Sequence, residues 1–203
     1  MSIKPATVAE TAALALAERN GWPDQLRTLL DRYPREVWSG HENLGEMSQF
    51  WLSRHNMFRE LAAAIEDALA RYRDGKIGAQ EFVEFFAPRL QFFLQQLHVH
   101  HQIEDRHYFP IFRKAEERLV AGFDVLEADH ATLHHDIDST VAAANGLLRS
   151  FAGDADTLQR AAGTYADASG VLFKGLKRHL DDEEDLIVPL ILDRSEEKLG
   201  VGH

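Results

Sequence analysis

The chain has 203 residues, 45% of them apolar and 27% charged, a balance that excludes a disordered, collagen-like or membrane-embedded protein. Twenty-two Lys and Arg stand against 33 Asp and Glu, a net charge of −11 with no basic run, which argues against nucleic acid and anionic membrane as partners. The lack of cysteine excludes disulfides, thiolate-bound zinc, iron–sulfur clusters and thiol nucleophiles, leaving the 11 His with Asp and Glu to bind any metal.

The early apolar stretch from Ala12 to Ala17 is short and runs into Glu18 and Arg19, so it reads as neither signal peptide nor membrane span, and the chain is read as cytoplasmic. No Val/Ile/Thr-rich alternation suggests a strand, and the pattern predicts an all-α protein. Two short helices are expected from Thr7 to Asn20 and from Pro23 to Tyr33, split by Gly21-Trp22-Pro23. Four long helices follow, from Leu44 to Arg73, Ala79 to Lys114, Phe123 to Arg149 and Thr157 to Leu192. The connections between them are short, which favours antiparallel neighbours and an up-down four-helix bundle. The expected organisation is an N-terminal helical extension over 1–43, the bundle over 44–193 and a tail over 194–203.

The apolar stripes of these helices are interrupted by ionisable residues. The first long helix carries Trp51, His55, Phe58, Ala62, Ile65, Leu69 and Tyr72 at alternating spacings of four and three, one face of a bundle helix. The second gives Phe86, Leu90, Phe93, Leu97, His100, Glu104, His107 and Ile111. The third gives Phe123, Leu126, His130, Leu133 and Ile137, with His134 one turn beyond His130. The fourth gives Leu172, Leu176, His179, Glu183, Leu186 and Leu190. An ionised Glu in an apolar interior costs several kcal/mol unless it is paired or bound to metal. His100 with Glu104, His130 with His134, and His179 with Glu183 are each four residues apart, one above the other on a helix, so each pair can serve one site. Imidazole and carboxylate without sulfur suit iron, manganese or zinc, and a carboxylate can bridge two ions.

The chain also repeats itself. His100-x3-Glu104-Asp105 is followed by Pro110, and His179-x3-Glu183-Glu184 by Pro189, each proline ten residues after its His. The lone upstream His is His55 in one copy and His130 in the other, 45 and 49 residues before the paired His. The repeat selects His100 with Glu104 over the equally spaced His101 with Asp105. His98, His101 and His135 are expected at the surface or outside the ligand set, His107 as a core residue or a partner of a ligand. The acidic run Asp181 to Asp185 reads as a solvated face except for Glu183. Asp105, Asp129, Asp182 and Glu184 lie near enough in sequence to fix imidazole tautomers.

From about Phe50 to Leu192 this order of five His and two carboxylates on four helices resembles the hemerythrin-like proteins with a His-His-Glu cation-binding domain. The resemblance implies an oxo- or hydroxo-bridged centre of two iron ions with Glu104 and Glu183 as bridges. His130, His134 and His179 would then hold one iron, and His55 with His100 the other, whose open position takes dioxygen, nitric oxide or peroxide. Invertebrate oxygen carriers of that family have an Asp five residues after the last His, whereas Glu183 follows His179 by four. That departure favours the bacterial-type branch, with roles in sensing, detoxification or iron and oxygen homeostasis. A ferritin-like di-iron bundle is the alternative, drawing on Glu104-x-x-His107 and Glu127-x-x-His130, but it leaves His55, His100, His134 and His179 without a role. A zinc hydrolase lacks its His-Glu-x-x-His motif here. The sequence leaves both a binding or sensing protein and an enzyme open.

Overall fold

In the computed structural model, residues 14–202 are described, and among them the chain is all helical, with no strand. Helix α1 is Asp24–Arg32, and a 3-10 turn occupies Arg35–Gly40. The long helices are α2, Glu46–Arg73; α3, Ala79–Ile103; α5, Val120–Ser150; and α6, Ala155–Arg194. A π-helical turn at Glu104–Tyr108 separates α3 from the short α4, Phe109–Ala115, and α7 is Glu196–Leu199. The boundaries match the hydrophobic periodicity to within three residues, apart from the break in the second long helix. Of the first expected helix, residues 7–13 lie outside the described residues, and residues 14–18 form turns instead. None of the described helices is long and apolar enough to cross a membrane.

The chain forms two compact units. The first is drawn from Met1–Leu52, Asp105–Thr132 and Lys177–His203. Its core joins Trp22, Leu26, Leu29 and Trp38 to Trp51, Phe109, Phe112, Phe123 and Leu126, and to the last two turns of α6 from Leu186 to Leu192. Each such side chain contributes roughly 1.5–3 kcal/mol by leaving water. Gly122, at the start of α5, packs against Leu186 of α6 so closely that a Cβ there would sit 2.8 Å from Leu186 Cδ2, so a larger residue would force that side chain to move. The N-terminus of α2 is capped from far along the chain. The Glu196 carboxylate accepts from the Ser48 backbone N–H at 2.7 Å, and also from the Ser48 hydroxyl, supplying acceptors that a helix start otherwise lacks.

The second unit comprises Ser53–Glu104 and Leu133–Leu176. Edge-to-face pairs knit its helices: Phe58 with Phe93 joins α2 to α3, while Phe86 with Tyr165 and Phe93 with Phe173 join α3 to α6. Thr140 Oγ1 donates to the Ala168 carbonyl at 3.4 Å, joining α5 to α6. Gly75, at φ +69°, ends α2, and the Gly75 and Lys76 N–H groups donate back to Tyr72 and Arg71. The stripe on α2 is buried as its spacing requires: Phe58 and Ile65 are inaccessible, and Ala62 and Leu69 nearly so.

Glu116, between α4 and α5 in the first unit, gives the fold a pH-dependent element. Hydrogen bonds from the Arg118 guanidinium at 2.7 Å and 2.9 Å and from Arg194 at 3.1 Å outweigh burial and hold its carboxyl down to about 2. A depressed native pKa adds stability above the ordinary value of 4.5 that is lost as pH falls toward about 2. Arg118 is exposed, so the contribution is about 1 kcal/mol. In urea unfolding, Glu116→Gln is therefore expected to be about 1 kcal/mol less stable than the parent at pH 7, with the gap closing by about pH 2. A gap independent of pH would contradict this.

Candidate metal centre

Six of the seven predicted ligands are almost entirely withdrawn from solvent: His55, His100, Glu104, His130, His179 and Glu183 are each 8% exposed or less. They fall into two sets of the same composition, one in each unit. In the second unit α2 supplies His55, α3 supplies His100, and Glu104 opens the π-helical turn one helical turn on. His55 Nε2 lies 3.1 Å from His100 Nε2, and Glu104 Oε1 lies 2.9 Å from His100 Nε2 and 4.0 Å from His55 Nε2. Phe58 packs over the His100 ring at 5.2 Å and, with Phe93 and Leu97, forms an apolar layer with no solvent access.

In the first unit α5 supplies His130 and α6 supplies His179 and Glu183. His130 Nε2 lies 3.1 Å from His179 Nε2, and Glu183 Oε2 lies 3.6 Å from His179 Nε2. The outer nitrogens of both rings meet carboxylates. His130 Nδ1–H donates to Asp105 Oδ1 at 2.7 Å, and His179 Nδ1–H to Asp129 Oδ2 at 3.3 Å. A carboxylate can only accept, so in the neutral rings the proton sits on Nδ1 and both Nε2 atoms present lone pairs to each other. Two lone pairs at 3.1 Å repel, and a cation between them turns the repulsion into coordination. Nitrogens at right angles and about 2.1 Å from one ion lie about 3 Å apart, which both imidazole pairs match. The donors in each set, two imidazoles and one carboxylate without sulfur, suit iron, manganese or zinc.

The charges around the first-unit set are internally matched. Burial opposes ionisation of Asp129, but hydrogen bonds from His179 and Arg19 and their charges outweigh it and hold its carboxyl below the usual carboxylate range. Arg19 also donates to Asp182 at 2.6 Å, and Arg178 clamps Asp182 from the preceding turn of α6. The acidic run is therefore not the solvated face its composition suggests. Besides Glu183, Asp182 is inaccessible and Glu184 is 4% exposed, with Arg19 and Trp22 of the N-terminal region bonded to Asp182 and Arg35 to Glu184.

Several histidines depart from the sequence reading. His107, expected in the core, is exposed, since the π-helical turn inserts an extra residue after Glu104 and hands the buried register to Phe109 and Phe112. Phe109 then stacks on the His130 ring at 5.5 Å. His101, expected outside the core, is inaccessible. His134 is half-buried, its ring 5.5 Å from His101 and 5.1 Å from the exposed His98. Two of the four residues in the ferritin-type pairs point outward: His107 is exposed, and Glu127 pairs with Arg113 at the surface. Arg19 carries no motif and is invisible to helical periodicity.

The model of the hemerythrin HHE cation-binding domain matches residues 46–191. Comparison with curated proteins and with solved structures gives no match.

Asp105 holds the His130 ring, so its loss should weaken the first-unit set without touching a ligand. Asp105→Ala is expected to lower metal affinity by roughly 10- to 100-fold in chelator competition, with helicity unchanged. Affinity equal to the parent would show that this hydrogen bond does not orient His130.

Proposed function

The chain belongs to the hemerythrin HHE cation-binding family, and we propose that its two His-His-Glu sets together hold a non-haem di-iron centre. His55 and His100 would hold one iron, His130 and His179 the other, and Glu104 and Glu183 would be shared between them. The observation that carries this reading is the repeated pair of imidazole Nε2 atoms 3.1 Å apart, each with a glutamate four residues after one of its histidines. When bound, a diferrous pair would supply one electron per iron for reduction of dioxygen, nitric oxide or peroxide. The protein's own part is to fix the rings through Asp105 and Asp129 and to keep water from the His55–His100 set with Phe58, Phe93 and Leu97. The centre so held serves sensing, detoxification or iron and oxygen homeostasis in the cytoplasm.

The third histidine on the His130–His179 iron has two candidates. Spacing and family resemblance assign it to His134. The inaccessibility of His101, against the half-burial of His134 beside exposed His98, favours His101 as a second reading.

Protein from iron-supplemented cells is expected to carry about two irons per chain and the near-ultraviolet bands of a bridged ferric pair, both lost in Glu104→Ala and His179→Ala. Iron content unaltered by these substitutions would sink the reading. Comparing His134→Ala with His101→Ala identifies the third histidine, as the true ligand's variant loses one iron. Catalysed decay of added peroxide above that of free iron, abolished in His179→Ala, would make the protein an enzyme rather than a reversible binder.

A further inference from the structure

Arg19 lies outside the stretch that matches the family, yet it is among the most deeply buried charges in the first unit. Its side chain is inaccessible, and it carries four hydrogen bonds. Nη1 and Nη2 both reach the Asp129 carboxylate on α5, Nε reaches Asp182 on α6, and Nη1 also donates to the Leu14 carbonyl of its own segment. Asp129 in turn accepts from His179 Nδ1. The guanidinium thus stands one carboxylate away from a proposed iron ligand, on a path of direct hydrogen bonds. Trp22 fastens the same segment by donating from Nε1 to the Asp182 carbonyl at 2.7 Å, and the Arg19 guanidinium lies over its ring at 5.2 Å.

We propose that Arg19 is a positioning residue for the metal centre: by gripping Asp129 it fixes the carboxylate that orients His179, so that the N-terminal segment controls how firmly iron is retained. The inference rests on His179 being an iron ligand. Hydrogen-bond geometry carries it. A carboxylate with no second partner can rotate about its Cβ–Cγ bond and release the imidazole. Asp129 is held at both oxygens, Oδ1 by Arg19 alone and Oδ2 by Arg19 and His179. Only the planar fork of arginine reaches both oxygens of Asp129 while Nε spans to Asp182. Lysine, a single point charge, can hold one of them. Without Arg19, Asp129 loses both guanidinium bonds and keeps only the one from His179, while Asp182 retains Arg178.

The experiment measures iron release to a strong chelator from fully loaded protein, with circular dichroism and the near-ultraviolet spectrum recorded alongside. Arg19→Ala is expected to release iron at least about tenfold faster than the parent at unchanged helicity and with shifted bands, and Arg19→Lys at an intermediate rate. Arg35→Ala serves as the control, because Arg35 ties the same N-terminal region to Glu184 and Asp185 without touching Asp129. Its release rate is expected to stay within about twofold of the parent. Should Arg19→Ala lose helicity, Arg19→Lys carries the test alone, and release at the parental rate overturns the proposal. Equal acceleration in Arg19→Ala and Arg35→Ala also overturns it, since the effect would then be general loosening. Parent protein that takes up no iron overturns both this inference and the di-iron reading, whereas loaded parent with unaltered release in the Arg19 variants overturns this inference alone.

Discussion

The structure turns on the cost of keeping imidazoles and carboxylates in a helical core. Six such groups, His55, His100, Glu104, His130, His179 and Glu183, are withheld from water on helices whose other buried residues are mostly apolar. An uncompensated buried carboxylate costs several kcal/mol, comparable with the 5–15 kcal/mol net stability of a typical domain. Two glutamates at such positions are well served by a cationic partner. In the proposed centre that partner lies beside the paired Nε2 atoms, and a metal bound there would add its binding free energy to folding. Stability is thus expected to rise with metal occupancy.

The wider charge pattern obeys the same constraint. The chain is strongly acidic, yet three acids near the metal sets, Asp129, Asp182 and Glu184, are buried. Each is met by arginine: Arg19 for Asp129 and Asp182, Arg178 for Asp182, Arg35 for Glu184. Buried ion pairs add little net stability, because desolvation offsets most of the attraction, but removing one partner is costly. Their effect here is geometric. They fix Asp129, and through it the tautomer and direction of His179, in a way that an apolar filling could not.

Much of the fold was legible because helices write their packing into sequence with a period of 3.6. Phe58, Ile65, Phe93, Leu97, Leu126 and Leu176 are buried where their spacing places them, and the i,i+4 pairs His100–Glu104 and His179–Glu183 meet as the helix dictates. What escaped were breaks in that period and contacts between distant segments. The π-helical turn after Glu104 shifts the register by one residue, which exposes His107 and buries Phe109, and no local residue preference announces it. The burial of His101 follows from helix packing that spacing alone left undecided against His100. The grip of Arg19 on Asp129 and Asp182 spans 110 and 163 residues, a separation over which periodicity carries no information.

X-ray absorption at the iron edge tests the central claim most directly, since it reads the surroundings of the metal itself. The di-iron centre is expected to give a shell of nitrogen and oxygen at roughly 2.1 Å, the outer-shell scattering of several imidazoles on average, and an iron–iron vector of roughly 3–4 Å. Iron surrounded by oxygen alone, with neither imidazole scattering nor a second iron, would contradict it.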